Sequence, residues 1–170
     1  MQHDFADRAK LAPYLNRVLT WNGIVYHRHD SLSGQTASHR HKPSLIVVSL
    51  QADDYPDLRL DHCVVAFHQA DLRNIDRYQP IKFDAIVYRY HQPILNHGLS
   101  YLKETYGLSA KSKPIRLPEL KDSHPSIWLT RRCRQYQFNL NNYLKLPNNG
   151  SREHAINRDI HRYYQLQSSK

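Results

Sequence analysis

Residues 81–90 read Ile-Lys-Phe-Asp-Ala-Ile-Val-Tyr-Arg-Tyr, with Pro80 directly before them. Ile81, Phe83, Ala85 and Val87 alternate with Lys82, Asp84, Ile86, Tyr88 and Tyr90. Successive side chains of a β-strand point to opposite faces, so a period of two predicts a strand with one face in a core. Pro has no N–H to give to a ladder, which fits the first position of such a strand and not its interior. The other face carries Lys82, Tyr88 and Tyr90, and Arg89 stands between the tyrosines. Flat rings beside cations suit a surface that stacks bases and follows a phosphate backbone. Such rings also serve as ordinary cross-strand packing partners, so this strand alone supports both readings.

Three further strands are expected upstream. The first covers residues 15–29, with Gly23 marking a bulge, a bend or the close approach of another backbone. A loop over 30–41 follows, with a turn signal at Ser33-Gly34. The second strand is Lys42 to Leu50 and the third Asp61 to Phe67, separated by a polar loop holding Asp53, Asp54 and Asp57. A short connector over 68–76 leads to the strand at 81–90. A fifth strand is expected around Lys113-Pro-Ile-Arg-Leu-Pro118, after a turn at Tyr106-Gly107; its two prolines would confine it to an edge.

Leu15-Asn16-Arg17-Val18, an apolar pair and Gly23 resemble the opening of bacterial single-stranded-DNA-binding proteins and their primosomal relatives, with one extra residue before the glycine. Cys63-Val-Val-Ala-Phe67 and Ile81 to Tyr90 are similar to the third and fourth strands of the same family. The resemblance covers about residues 15–118. It implies a mainly β fold: a five-stranded oligonucleotide-binding (OB) Greek-key barrel, whose ligand crosses strands two and three between two bordering loops. That gives an N-terminal arm over 1–14, a barrel over 15–118 and a basic helical extension over 119–170. The family usually ends in an acidic tail that recruits partners, whereas this chain ends basic.

In the extension, Ser123-His-Pro125 can start a helix. Leu129, Cys133, Tyr136, Leu140 and Tyr143 then fall on one helical stripe. Arg131, Arg132 and Arg134 lie in its first half, where they project either to phosphates or to plain solvent. Pro147 to Gly150 ends this helix, and Ser151 can cap another.

The chain has 170 residues and a net charge of +9. Residues 1–90 hold 11 Lys/Arg against 10 Asp, and residues 91–170 hold 13 against 5 acidic residues. A basic excess gathered in one half favours a polyanionic partner, although net charge also serves solubility. No run of 18 apolar residues exists, so no membrane-spanning helix is expected. The acidic N-terminus does not read as a secretory signal. Two cysteines, Cys63 and Cys133, are too few for a disulfide framework. A cytoplasmic location is expected.

The candidate nucleic-acid-binding residues are Trp21, Tyr26, Arg28, Arg40, Lys42, Lys82, Tyr88, Arg89, Tyr90, Arg131, Arg132 and Arg134. Trp21 reads equally well as a core residue. His27, His29, His39 and His41 are placed symmetrically about Gly34. A hairpin in that register would set His27 against His41 and His29 against His39, a weak candidate metal site. No P-loop, dinucleotide fingerprint or nucleophile elbow occurs. The expected function is non-catalytic binding of single-stranded DNA, with RNA second and no cofactor. The alternatives are a protein-interaction or homo-oligomer module using the 129–143 stripe, and a metal-dependent nuclease using Asp53, Asp54, Asp57 and Asp61 or the histidines.

Overall fold

The computed structural model describes residues 5–29, 43–120 and 125–169, with residues 5 and 6 described by their backbone alone. Among the described residues, β1 (Val18–His29), β2 (Ser44–Ala52), β3 (Arg59–Ala66), β4 (Pro80–Asn96), β5 (Leu99–Ala110) and β6 (Ile115–Arg116) form one antiparallel sheet. The order is β3-β2-β1-β4-β5, and β6 pairs with the start of β4. The strand that alternation placed at 81–90, and those expected at 42–50 and 61–67, lie within β4, β2 and β3 to within a few residues.

The fifth strand does not. The sequence around Lys113–Pro118 contributes only the two-residue β6. The long partner of β4 is β5, and Gly107 lies inside it, not in a turn. The turn is at His97-Gly98, with φ of 49° and 80°. Two successive positive φ values are what the two-residue hairpin turns matching strand twist require. Pro93, which reads as a strand breaker, sits opposite Leu102 in a two-stranded ribbon that projects beyond the sheet. A ribbon of only two strands tolerates one missing N–H.

β3 and β5 end the sheet path and approach each other. Among the described residues no ladder joins them, so the sheet is open and the expected closed barrel is not formed. This seam is covered by α1 (Phe5–Ala9), which packs against both strands. The described part of the N-terminal arm is docked: Leu11 is fully buried in the sheet interior, and Asp7 and Arg8 are buried too. Curling a sheet without closing it leaves apolar interior exposed, and this segment covers it.

The interior is filled by Trp21, Val25, Leu45, Val47, Leu60, Phe83, Val87 and Leu108, among others. Phe67 and Phe83 meet edge-to-face, 5.4 Å apart. Fully burying one such side chain contributes about 1.5–3 kcal/mol, so the inward residues of β4 alone fix its register. A second core lies on the outer face of β1 and β2. There Ile24, Ile46 and Val48 meet Trp128, Leu129 and Cys133 of α2 (Ile127–Tyr136), Tyr143 of α3 (Leu140–Leu144), and Ile156 and Ile160 of α4 (Ser151–Ser168). β1 serves both cores because its register to β2 shifts between Asn22 and Ile24 and again between Val25 and His27. Gly23 is needed at the first shift: a Cβ there would stand 2.5 Å from Val47 Cγ1.

The apolar stripe at 129–143 is divided between two helices. The Ser126 hydroxyl accepts the Leu129 N–H at 2.9 Å and caps α2. Gln137, left-handed at φ 56°, ends it. Gly150, at φ 94°, and not Ser151, occupies the cap position of α4.

Candidate nucleic-acid interface

The β4–β5 ribbon presents two faces. From the register, Tyr88, Tyr90, Gln92, Ile94 and Asn96 share one face with Gly107, Thr105, Lys103, Tyr101 and Leu99. No acidic residue occurs on it. The rings of Tyr88 and Tyr90 lie 5.5 Å apart at 33°. Tyr88 sits opposite Gly107, and a Cβ at that glycine would stand 2.9 Å from its ring. The glycine thus lets Tyr88 lie against the backbone of β5. Burial pushes the pKa of both tyrosines up. Towards the tip, Tyr101 is 48% exposed and Leu99 74%. Tyr101 and Lys103 are residues that sequence reasoning missed, because the segment after Tyr90 did not read as a strand.

The opposite face carries Arg89, His91, Pro93 and Leu95 beside Tyr106, Glu104, Leu102 and Ser100. Arg89 belongs here, 3.6 Å from Glu104, and not beside the tyrosines that flank it in sequence.

The other candidates do not gather into one groove. Trp21 is fully buried in the sheet interior and offers no ring to a ligand. Tyr26 packs on the outer face against Trp128, 5.3 Å away, with Arg77 over its ring. Arg28 donates to the Leu72 carbonyl at 2.9 Å. Lys82 is ion-paired with Asp53, and that pairing raises its pKa. Both line a hollow of ≈440 Å³ outside β1 and β2, across from Leu117 and Ile127. Arg131 pairs with Asp61 at 2.8 Å, fixing α2 to β3. Arg132 lies over the Trp128 ring at 5.4 Å. Arg134 is exposed near the end of α2. Arg40 and Lys42 lie outside the described residues.

In the described ladder the cross-strand partner of His27 is Ile46 and that of His29 is Ser44. His27 and His29 do share a face, with rings 4.7 Å apart. Burial, reinforced by His29 and Arg77, lowers the pKa of His27. His39 and His41 lie outside the described residues. The aspartates are dispersed: Asp53 is paired to Lys82, Asp61 is buried in β3, and Asp54 and Asp57 are exposed. Among the described residues no group of three His, Cys, Asp or Glu is placed to hold a metal. The 129–143 stripe is already spent inside the chain, since Leu129, Cys133 and Tyr143 are buried against the sheet. Among the described residues no helix is long and apolar enough to cross a membrane. The chain matches no protein-family model, no curated protein and no solved structure.

Proposed function

We propose that this protein binds single-stranded nucleic acid, DNA in the first place and RNA in the second, along the tyrosine face of the β4–β5 ribbon. One observation carries the reading: Tyr88, Tyr90 and Tyr101 share a face with Lys103, and β4 and β5 themselves place no carboxylate on it. Base–aromatic stacking contributes about 1–3 kcal/mol per base and tolerates any sequence. Lys103 and the basic excess of residues 91–170 supply phosphate contacts. The strand order β3-β2-β1-β4-β5, with β3 and β5 close at the seam, is consistent with an OB barrel left open between those two strands.

Anisotropy of a labelled oligothymidine, titrated at several salt concentrations, tests the reading. The logarithm of the binding constant should fall linearly with that of salt, by about 0.7 for each phosphate contacted. Absence of binding at low salt, or a flat salt response, refutes it.

A second reading has its own observation. On the other face Leu95 is 76% exposed and Leu102 68%, with Pro93 opposite Leu102. Contiguous exposed apolar side chains mark contact surfaces, and a protein partner or second copy would use this face. Gel filtration showing a stable oligomer indifferent to oligonucleotide would favour it over the first reading.

A further inference from the structure

A cavity of ≈480 Å³ opens at the seam between β3 and β5, a size typical of small-ligand sites. Its walls include Cys63 and Val64 from β3, Tyr88 and Tyr90 from β4 and Gly107 from β5. Arg8 of α1 closes one side. Arg8 is only 4% exposed, yet it makes a single hydrogen bond, from NH1 to Cys63 Sγ at 2.7 Å. A guanidinium carries five N–H donors. Among the described residues Arg8 makes no ion pair, although the neighbouring Asp7 carboxylate favours its charged form through space. No acidic residue lines the cavity. Placing a charge in a protein interior is costly unless it is paired and hydrogen-bonded. A thiol is a weak acceptor and cannot account for such a placement by itself.

We infer that this seam cavity binds a nucleotide, with Arg8 holding its phosphate and the rings of Tyr88 and Tyr90 taking its base. The planar fork of arginine fits two phosphate oxygens at once. The tyrosine pair lines the cavity and its face continues along the ribbon, so a strand on that face would place one phosphate at Arg8. The choice of a nucleotide over another planar anion rests on the proposed function. The anion-binding character of the cavity rests on Arg8 alone.

Calorimetric titration of the intact protein with thymidine 5′-monophosphate, thymidine and inorganic phosphate tests the assignment. The monophosphate should bind at least about tenfold more tightly than thymidine, the scale of one charge-assisted contact. Arg8→Met should abolish that difference, and Tyr90→Ala should weaken both ligands. If Arg8→Met does not fold, as judged by circular dichroism, the wild-type comparison and Tyr90→Ala decide alone. Equal binding of monophosphate and thymidine, or no binding of either, overturns the inference. Oligonucleotide binding without monophosphate binding removes the cavity and leaves the proposed function. Monophosphate binding without oligonucleotide binding does the reverse.

Discussion

Tyr101 and Leu102 are adjacent in β5 and project to opposite faces of the ribbon. Replacing each by alanine therefore separates the two faces with the smallest change available. If a base stacks on Tyr101, its loss removes a contact worth about 1–3 kcal/mol, or about 5- to 150-fold in affinity. Tyr101 is 48% exposed, so part of its ring already rests on the ribbon opposite Ile94. That favours the lower part of the range, about tenfold. Leu102→Ala should change affinity by less than about twofold, since exposed substitutions away from a site fall within about 0.5 kcal/mol. Lys103→Ala, on the tyrosine face, should reduce the salt slope by about 0.7. Anisotropy with one oligothymidine reads all three, at fixed salt for Tyr101→Ala and Leu102→Ala and across a salt series for Lys103→Ala, and thermal melts confirm that the exposed changes leave the fold intact. Equal weakening by Tyr101→Ala and Leu102→Ala would refute the assignment of faces. No weakening by Tyr101→Ala would refute stacking at the tip.

Gly150→Ala should be among the most destabilising single-methyl changes in the chain. At φ 94° a Cβ would stand 1.7 Å from the Tyr78 carbonyl oxygen, a backbone atom that cannot swing aside. Together with the left-handed penalty of about 1–2 kcal/mol, the loss should exceed about 2 kcal/mol in urea unfolding. A loss under about 0.5 kcal/mol, within the range of an ordinary surface change, would show that α4 does not abut Tyr78. Glu153 is 1% exposed with Oε2 unpartnered. Burial raises its pKa, opposed by its own backbone N–H and by Arg152, so the folded chain holds that proton more tightly than the unfolded chain. Its stabilising contribution is full below the ordinary carboxylate range and is lost as pH rises through the raised value. Glu153→Gln should therefore raise the melting temperature at pH 7–8, by less towards pH 4; an equal shift at both pH values would contradict the sign.

Most of the sheet was legible because its strands are half-buried and alternate. Gly23 was legible too, since a glycine inside a strand signals a close approach, here of Val47. The ribbon was not legible. Gln92-Pro93 breaks the alternation and Gly107 reads as a turn, although it is the open floor beneath Tyr88. Beyond Val87 no core selects apolar residues, so the periodic signal ends before the strand does. Trp21 and Arg28 show the converse limit. Residue type suggested a ligand surface, but only the fold shows that one ring is interior and the other side chain is bound to the Leu72 carbonyl. Arg8 gave no signal, because a five-residue helix is too short for periodicity and its role depends on a gap between strands distant in sequence.

The ribbon itself argues for a ligand. Two strands without a core beneath them are marginally stable in water. Arg89 and Glu104 are half-exposed, and such pairs contribute little. At its base the ribbon is anchored through Tyr88 on Gly107 and the buried Thr105. From there it carries Ile94, Leu95, Leu99, Tyr101 and Leu102 outward. Scattered exposed apolar residues need no explanation, but Leu95 and Leu102 gather on one face and Leu99 and Tyr101 on the other, on a segment that belongs to neither core. Proteins blunt exposed edges with proline and lysine, and Pro93 and Lys103 stand on the two strands of this ribbon. An element whose edges discourage strand addition and whose faces stay apolar is suited to contact through its faces. The face that carries rings and a cation without carboxylates is the one chemically matched to an unpaired nucleic-acid strand.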